Sequence, residues 1–155
     1  MMSTPVHDDA SVYRRYADEL IRYATMLVGP ADAHDVVADA VLAAFARPGW
    51  SALENQRAYL YRAVLNHANS FHRARTRRIR RELTTATREL ADQPQSSIDA
   101  HRALAALSAQ QRAVVYLTYW DDYSPMQIAD LLGVSEGTVR KQLARGREQL
   151  RRILE

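Results

Sequence analysis

The chain has no cysteine among its 155 residues, only five glycines and five prolines, and a single lysine among 21 basic residues. Without cysteine it holds no disulfide, no thiolate zinc site and no thiol nucleophile, a composition that suits a reducing cytoplasm. With so little glycine and proline, and no sustained alternation of Val, Ile and Thr, a sheet protein is excluded and an almost wholly helical chain is expected. There is no apolar run long enough to span a bilayer, so no membrane partner is expected. The first residues, MMSTPVHDDASVYRR, lack the apolar core of a secretory leader. The five histidines, at 7, 34, 67, 72 and 101, show no metal-ligand spacing. Neither a glycine-rich phosphate loop nor a nucleophile motif is present. No metal, no cofactor and no catalytic residue is therefore expected, and a small helical enzyme has no support.

What remains is a chain with enough apolar content for packed cores, 47%, and an uneven charge pattern. Residues 1–56 hold eight acids against four arginines. Residues 57–81 hold eight arginines and no acid. A second basic cluster lies at 140–152. Two separated basic segments on one chain are two candidate phosphate-binding surfaces, and binding there should weaken steeply with salt.

The stretch SPMQIADLLGVSEGTVRKQLARGREQLRR, Ser124 to Arg152, is the most informative. Ser124 and Gln127 form an S-x-x-Q capping box, with Pro125 at the first helical position. Ile128, Ala129, Leu131 and Leu132 make an apolar side. Gly133 supplies a turn in which a positive φ costs little. Ser135 can cap a second helix, whose buried positions are Val139 and Leu143. Ser135, Glu136, Thr138, Arg140, Lys141 and Arg145 are left as candidate contacts to duplex DNA. A helix-turn-helix places its second helix in the major groove, where Arg and Lys suit guanine edges and Thr suits a base edge or a thymine methyl. The plain alternative is a helical hairpin with a solvated basic face.

Upstream, Tyr16, Leu20, Tyr23, Ala24 and Leu27 give a helical stripe over 12–28, ended by Gly29-Pro30. A second helix runs from a cap at Asp32 to about Arg47, with Val36, Val37, Ala40, Val41, Ala44 and Phe45 inward. Asp32, Asp35 and Asp39 share a different, exposed face. Trp50 to Gln56 reads as a polar loop after Arg47-Pro48-Gly49. Its aromatic is either a base-stacking ring or a cap on the core. A long helix over 57–82 has Leu60, Val64, Leu65 and Ala68 as core. On it, Tyr59, Tyr61, His67, Phe71 and His72 are interleaved with arginines, a mix that suits stacked bases and phosphates of single-stranded nucleic acid. Tyr59 and Tyr61 also suit plain packing. Ser108-x-x-Gln111 is another capping box, opening a helix with Val114, Val115 and Leu117 inward. The expected fold class is all-α. Two small helical domains, 10–82 and 99–155, are joined by a flexible linker over 83–98, and the second contains the helix-turn-helix.

These segments together resemble the bacterial RNA polymerase sigma factors of the extracytoplasmic-function group, over nearly the whole chain. DAHDVVADAVLAAF, residues 32–45, is similar to the acidic helix that binds core polymerase. YLYRAVLNHANSFHRARTRR, residues 59–78, is similar to the segment that melts promoters and reads the −10 element. The region from Ala103 onward resembles the domain that reads the −35 element. The resemblance implies a non-enzymatic initiation factor whose partners are core polymerase (clamp helices of its largest subunit, flap of the second-largest), promoter DNA and an anti-sigma factor. It implies polymerase contacts at Asp32, Asp35 and Asp39. It implies −10 strand contacts at Trp50, Asn55, Arg62, Asn66, Arg73, Arg77 and Arg78, and −35 contacts at the helix-turn-helix residues named above. The chain departs from the family pattern at Ala38, Tyr59, Ser70 and Gln127. The runner-up is a stand-alone helix-turn-helix regulator binding duplex DNA as a dimer. The acidic stripe and the second basic patch count against it.

Overall fold

The computed structural model describes residues 5–82, 103 and 105–154, which form six α-helices and one 3₁₀ turn. The helices are α1 (Pro5–Val28), α2 (Ala33–Ala46), α3 (Gln56–Glu82), α4 (Ala109–Tyr119), α5 (Pro125–Leu132) and α6 (Glu136–Leu154). The 3₁₀ turn is Trp50–Ala52. The expected linker, 83–98, lies outside the described residues.

Local sequence chemistry sets most helix boundaries. Both capping boxes form: the Ser108 and Ser124 hydroxyls accept the amides of Gln111 and Gln127, and each glutamine side chain accepts the serine amide in return. Two orphan donors are thereby satisfied at each start. Gly133 ends α5 in the left-handed region at φ 71°, where a Cβ would be strained. Ser135 caps α6, accepting the Thr138 amide at 3.0 Å. Asp32 occupies the N-cap position of α2, but its side chain makes no capping hydrogen bond. Its φ and ψ are near-helical there, whereas an effective cap needs extended backbone to aim its oxygen at the next amides. The helix α1 also starts earlier than the stripe at 12–28 requires, at Pro5.

α1, α2 and α3 pack pairwise around Leu20, Tyr23, Leu27, Val37, Leu60 and Val64. α4, α5 and α6 enclose Val114, Leu117, Ile128 and Val139. The two units do not stand apart. They share one continuous core, because α1 packs on α4 and α3 packs on both α4 and α5. Tyr23 is the bridge: its ring lies 4.6 Å from Tyr61 in its own unit and 6.2 Å from Tyr116 in the other. No helix among the described residues is long and apolar enough to cross a membrane.

Candidate nucleic-acid and polymerase interface

Three exposed faces carry the candidate residues. The first is on α2. Asp35 and Asp39 are exposed and Asp32 is half-exposed, as the apolar pattern requires, since Val36, Val37, Ala40 and Val41 point inward. Leu42 lies on the same face, seven residues after Asp35, and is 67% exposed. Sequence reasoning passed over it as one more apolar residue in an apolar helix. Its phase, in step with Asp35 and Asp39, was the available signal. A shallow recess between α2 and α3 runs beside this face, lined by Asp32, Asp35, Asp39, His67 and Phe71.

The second face is on α3. At about 100° per residue, Arg62, Asn66, Arg73 and Arg77 fall on one side of the helix, and Arg80 joins them. Arg78 projects to nearly the opposite side. This part of α3 is free of acids until Glu82, and its residues from Arg73 onward are exposed. Arg73 donates to the Ser70 hydroxyl at 3.2 Å, so Ser70 helps fix that guanidinium. Arg62 is engaged quite differently. Its Nε donates to the Leu131 carbonyl at 3.2 Å and its Nη2 to the Asp130 carbonyl at 2.9 Å.

Trp50 is not placed as a stacking ring needs to be, whereas Asn55 is exposed. Trp50 is 4% exposed. Its ring sits between Phe45, at 5.2 Å, and Tyr59, at 6.0 Å, and its indole N–H donates to Asp9 Oδ1 at 3.1 Å. The preceding Gly49, at φ 83°, turns the chain so that the indole folds inward. Of the two sequence readings, the core cap holds, and a stacking role for Trp50 is corrected. The loop looked polar because its one aromatic group packs on partners from three other elements, which no local pattern displays. Asn55 is the N-cap of α3, its Oδ1 accepting the Ala58 amide at 3.0 Å. Tyr61 is buried and Tyr59 is half-buried, so both are packing residues here, with the Arg47 guanidinium 4.8 Å from the Tyr59 ring.

The third face is α6. Val139 and Leu143 are buried, while Ser135, Arg140, Lys141 and Arg145 are exposed. Arg140 Nη2 lies 2.7 Å from Glu136 Oε1 one turn earlier. An exposed i,i+4 pair is held by only about 0.3–0.5 kcal/mol, so the arginine is easily released from it. The Ser135 and Thr138 hydroxyls hydrogen-bond each other at 2.9 Å, so both belong to the helix cap as well as to the outward face. Among the described residues no group of His, Asp and Glu could hold a metal ion.

Sequence reasoning missed the polar contacts between the two units. Arg57 forms a two-pronged pair with Glu19, at 2.9–3.2 Å, and donates to the Tyr123 hydroxyl at 2.6 Å. The Glu19 hydrogen bonds outweigh burial and hold Arg57 firmly charged, while burial and the Glu19 charge hold the Tyr61 phenol protonated. Asp122, with φ 56°, shapes the turn that delivers Tyr123. Arg112 of α4 donates to the Leu27 carbonyl at 2.6 Å, and His72 Nε2 lies 2.5 Å from the same oxygen. Burial first, then the charges of Arg112 and Arg75, hold His72 below the usual imidazole range, against the opposing pull of its hydrogen bond to Leu27.

Comparison with known proteins agrees with this layout. Residues 12–78 match the family model for sigma-70 region 2, and residues 97–150 match that for sigma-70 region 4. The RNA polymerase sigma-E factor of Streptomyces coelicolor is 32% identical over 153 residues, covering 91% of this chain and 82% of the relative. The ECF RNA polymerase sigma factor SigM of Mycobacterium tuberculosis is 32% identical, covering 92% and 75%. Among solved structures, the sigma factor RpoE of Bartonella quintana, in complex with the anti-sigma factor NepR, superposes with a TM-score of 0.67 at 25% identity, over 95% of this chain and 96% of that one. CnrH, in complex with the cytosolic domain of CnrY, shares the fold with a TM-score of 0.62 at 22% identity, over 94% and 86%. The chain belongs to the sigma-70 family of RNA polymerase sigma factors, in its extracytoplasmic-function group.

Proposed function

We propose that this sigma factor directs promoter-specific initiation by three contacts held on one chain. Asp32, Asp35 and Asp39, with the exposed Leu42 beside them, dock on core RNA polymerase. Arg62, Asn66, Arg73 and Arg77 hold the melted −10 non-template strand, and Arg78, on the other side of α3, stands outside that face. Ser135, Glu136, Thr138, Arg140, Lys141 and Arg145 face the −35 duplex. The observation that carries this reading is the presence on one chain of two exposed basic helices, α3 and α6, and of an acidic face on α2 that belongs to neither. A dimeric duplex-binding regulator needs only α6.

The division of labour follows from physical chemistry. Duplex DNA is read through its major-groove edges, which suits one basic helix on a capped turn. Melted strand exposes phosphates and base faces, which suits a long arginine stripe. Among the described residues no group is arranged for bond making; their part is binding and positioning, and phosphoryl transfer belongs to the polymerase. The complex of the similar sigma factor RpoE with the anti-sigma factor NepR supports an anti-sigma partner for this chain as well.

Run-off transcription from a genomic promoter library, with purified chain and core polymerase, tests the proposal. Defined start sites that depend on the chain are expected. A chain that neither co-elutes with core enzyme nor supports any start refutes it.

A further inference from the structure

Each unit extends an arginine to the C-terminal carbonyls of a helix in the other. Arg62, on α3, grips the last turn of α5 through the Asp130 and Leu131 carbonyls. Arg112, on α4, grips the end of α1 through the Leu27 carbonyl. The C-terminus of a helix carries unpaired carbonyls and about half a negative charge. To an arginine, such an end offers what a phosphate offers: clustered oxygens and negative potential. Arg62 is also the N-terminal member of the arginine stripe assigned above to the −10 strand. The fit is close, since a Cβ added at Gly133 would lie 2.7 Å from Arg62 Nε.

We propose that the end of α5 is an internal surrogate for the DNA backbone, occupying the first phosphate position of the strand-binding face of α3 and keeping the free chain closed. The proposal rests on the reading of α3 and α6 as −10 and −35 readers. That reading itself demands an opening. The two elements are centred about 25 base pairs apart, roughly 85 Å at about 3.4 Å per pair. A compact chain of this length has a radius of gyration of only about 15 Å. The closed body cannot reach both elements, and its Arg62 is already taken. The clasp is built to release. Among the described residues Arg112 has no acid as a salt-bridge partner, and its buried Nε has no hydrogen-bond partner there. It is therefore a desolvated cation held mainly by one carbonyl. Tyr123 adds a third tie, through its hydroxyl to Arg57.

The absence of native cysteine permits a direct test. Ser11→Cys and Glu148→Cys put dyes on exposed positions of the two units. Arg112→Glu with Tyr123→Phe sets a carboxylate against the Leu27 carbonyl at the negative end of α1, and loosens the clasp without touching the strand-binding face. The wild type is expected to show one high-transfer population, and the double variant a low-transfer one. The double variant should bind a fluorescent, randomised single-stranded DNA 15-mer about tenfold more tightly than wild type. Arg62→Ala in the opened background should remove that gain. Tyr123→Phe alone should move both readouts the same way by a smaller factor, and it decides the matter if circular dichroism shows the double variant unfolded. A wild type that is already open, an opened chain that binds strand no better, or a gain that survives Arg62→Ala overturns the proposal. Failure of the sigma reading shows separately, as absence of transcription with core polymerase from wild-type and opened chains alike.

Discussion

Replacing Trp50 by alanine separates structure from recognition most sharply. The indole is 4% exposed, contacts Phe45 and Tyr59, and donates to Asp9. Truncating a buried tryptophan costs about 3–5 kcal/mol, from lost transfer free energy and the cavity left behind. A chain of this size loses about 2–4 °C of melting temperature per kcal/mol, so a fall of roughly 10–15 °C is expected. Trp50→Phe keeps a ring between Phe45 and Tyr59 but loses the N–H and some volume, and should fall by about a third as much. Strand affinity of the folded protein, measured well below the new melting point with a fluorescent oligonucleotide, should match wild type within about twofold, because the indole face is not available to a base. Differential scanning fluorimetry and anisotropy give the two numbers. A melting temperature within about 2 °C of wild type, together with a tenfold loss of strand affinity, would refute the assignment of Trp50 to the core.

Asp35→Arg with Asp39→Arg should abolish co-elution with core polymerase while changing stability by less than about 1 kcal/mol, since both carboxylates are exposed and bury nothing; normal core affinity removes the docking assignment. Arg140→Ala should relax selection at one base pair of a randomised −35 library and cost about 1–3 kcal/mol there, as expected for a planar fork on a base edge; an unchanged preferred sequence in both Arg140→Ala and Lys141→Ala means α6 is not the reader. Folding lowers the pKa of His72, so the unfolded chain binds the extra proton more readily, and this group penalises the fold as pH drops through the ordinary histidine range of about 6.5. The loss of melting temperature between pH 7.5 and pH 5.5 should be smaller in His72→Gln than in wild type, and an identical pH dependence would show that His72 does not sense its burial.

Helix positions were readable because their causes are local. A capping serine and its glutamine lie three residues apart, Gly133 marks its own turn, and the spacing of Val139 and Leu143 assigns the outward face of α6 without knowledge of any other helix. The exposed placement of Asp35 and Asp39 followed in the same way from the apolar residues between them. What could not be read depends on partners distant in sequence. Trp50 is anchored by Asp9, 41 residues away. Arg57 meets Tyr123 across 66 positions, and Arg62 meets Leu131 across 69. A charge count of residues 57–81 treats all eight arginines alike, yet the fold does not. Arg57 is tied to Glu19 and Tyr123 and Arg62 to two carbonyls, while Arg75, Arg77, Arg78 and Arg80 are exposed.

That inequality bears on how such a chain can be regulated. A stripe of free arginines would bind any polyanion, and its affinity would depend only on salt. Once the first member of the stripe is held by the partner unit, binding strand and opening the molecule become one event, and the strand affinity of the free chain is lowered by the fraction of molecules that are open. A partner that holds the two units apart, as polymerase must for both promoter elements to be reached, raises that fraction without touching DNA. A partner that holds them together lowers it without covering the arginines at all. If α3 and α6 read the −10 and −35 elements as proposed, the contacts between α3 and α5 couple occupancy of the one face to the position of the other, through Arg62, which a linear reading of the sequence assigns to DNA alone.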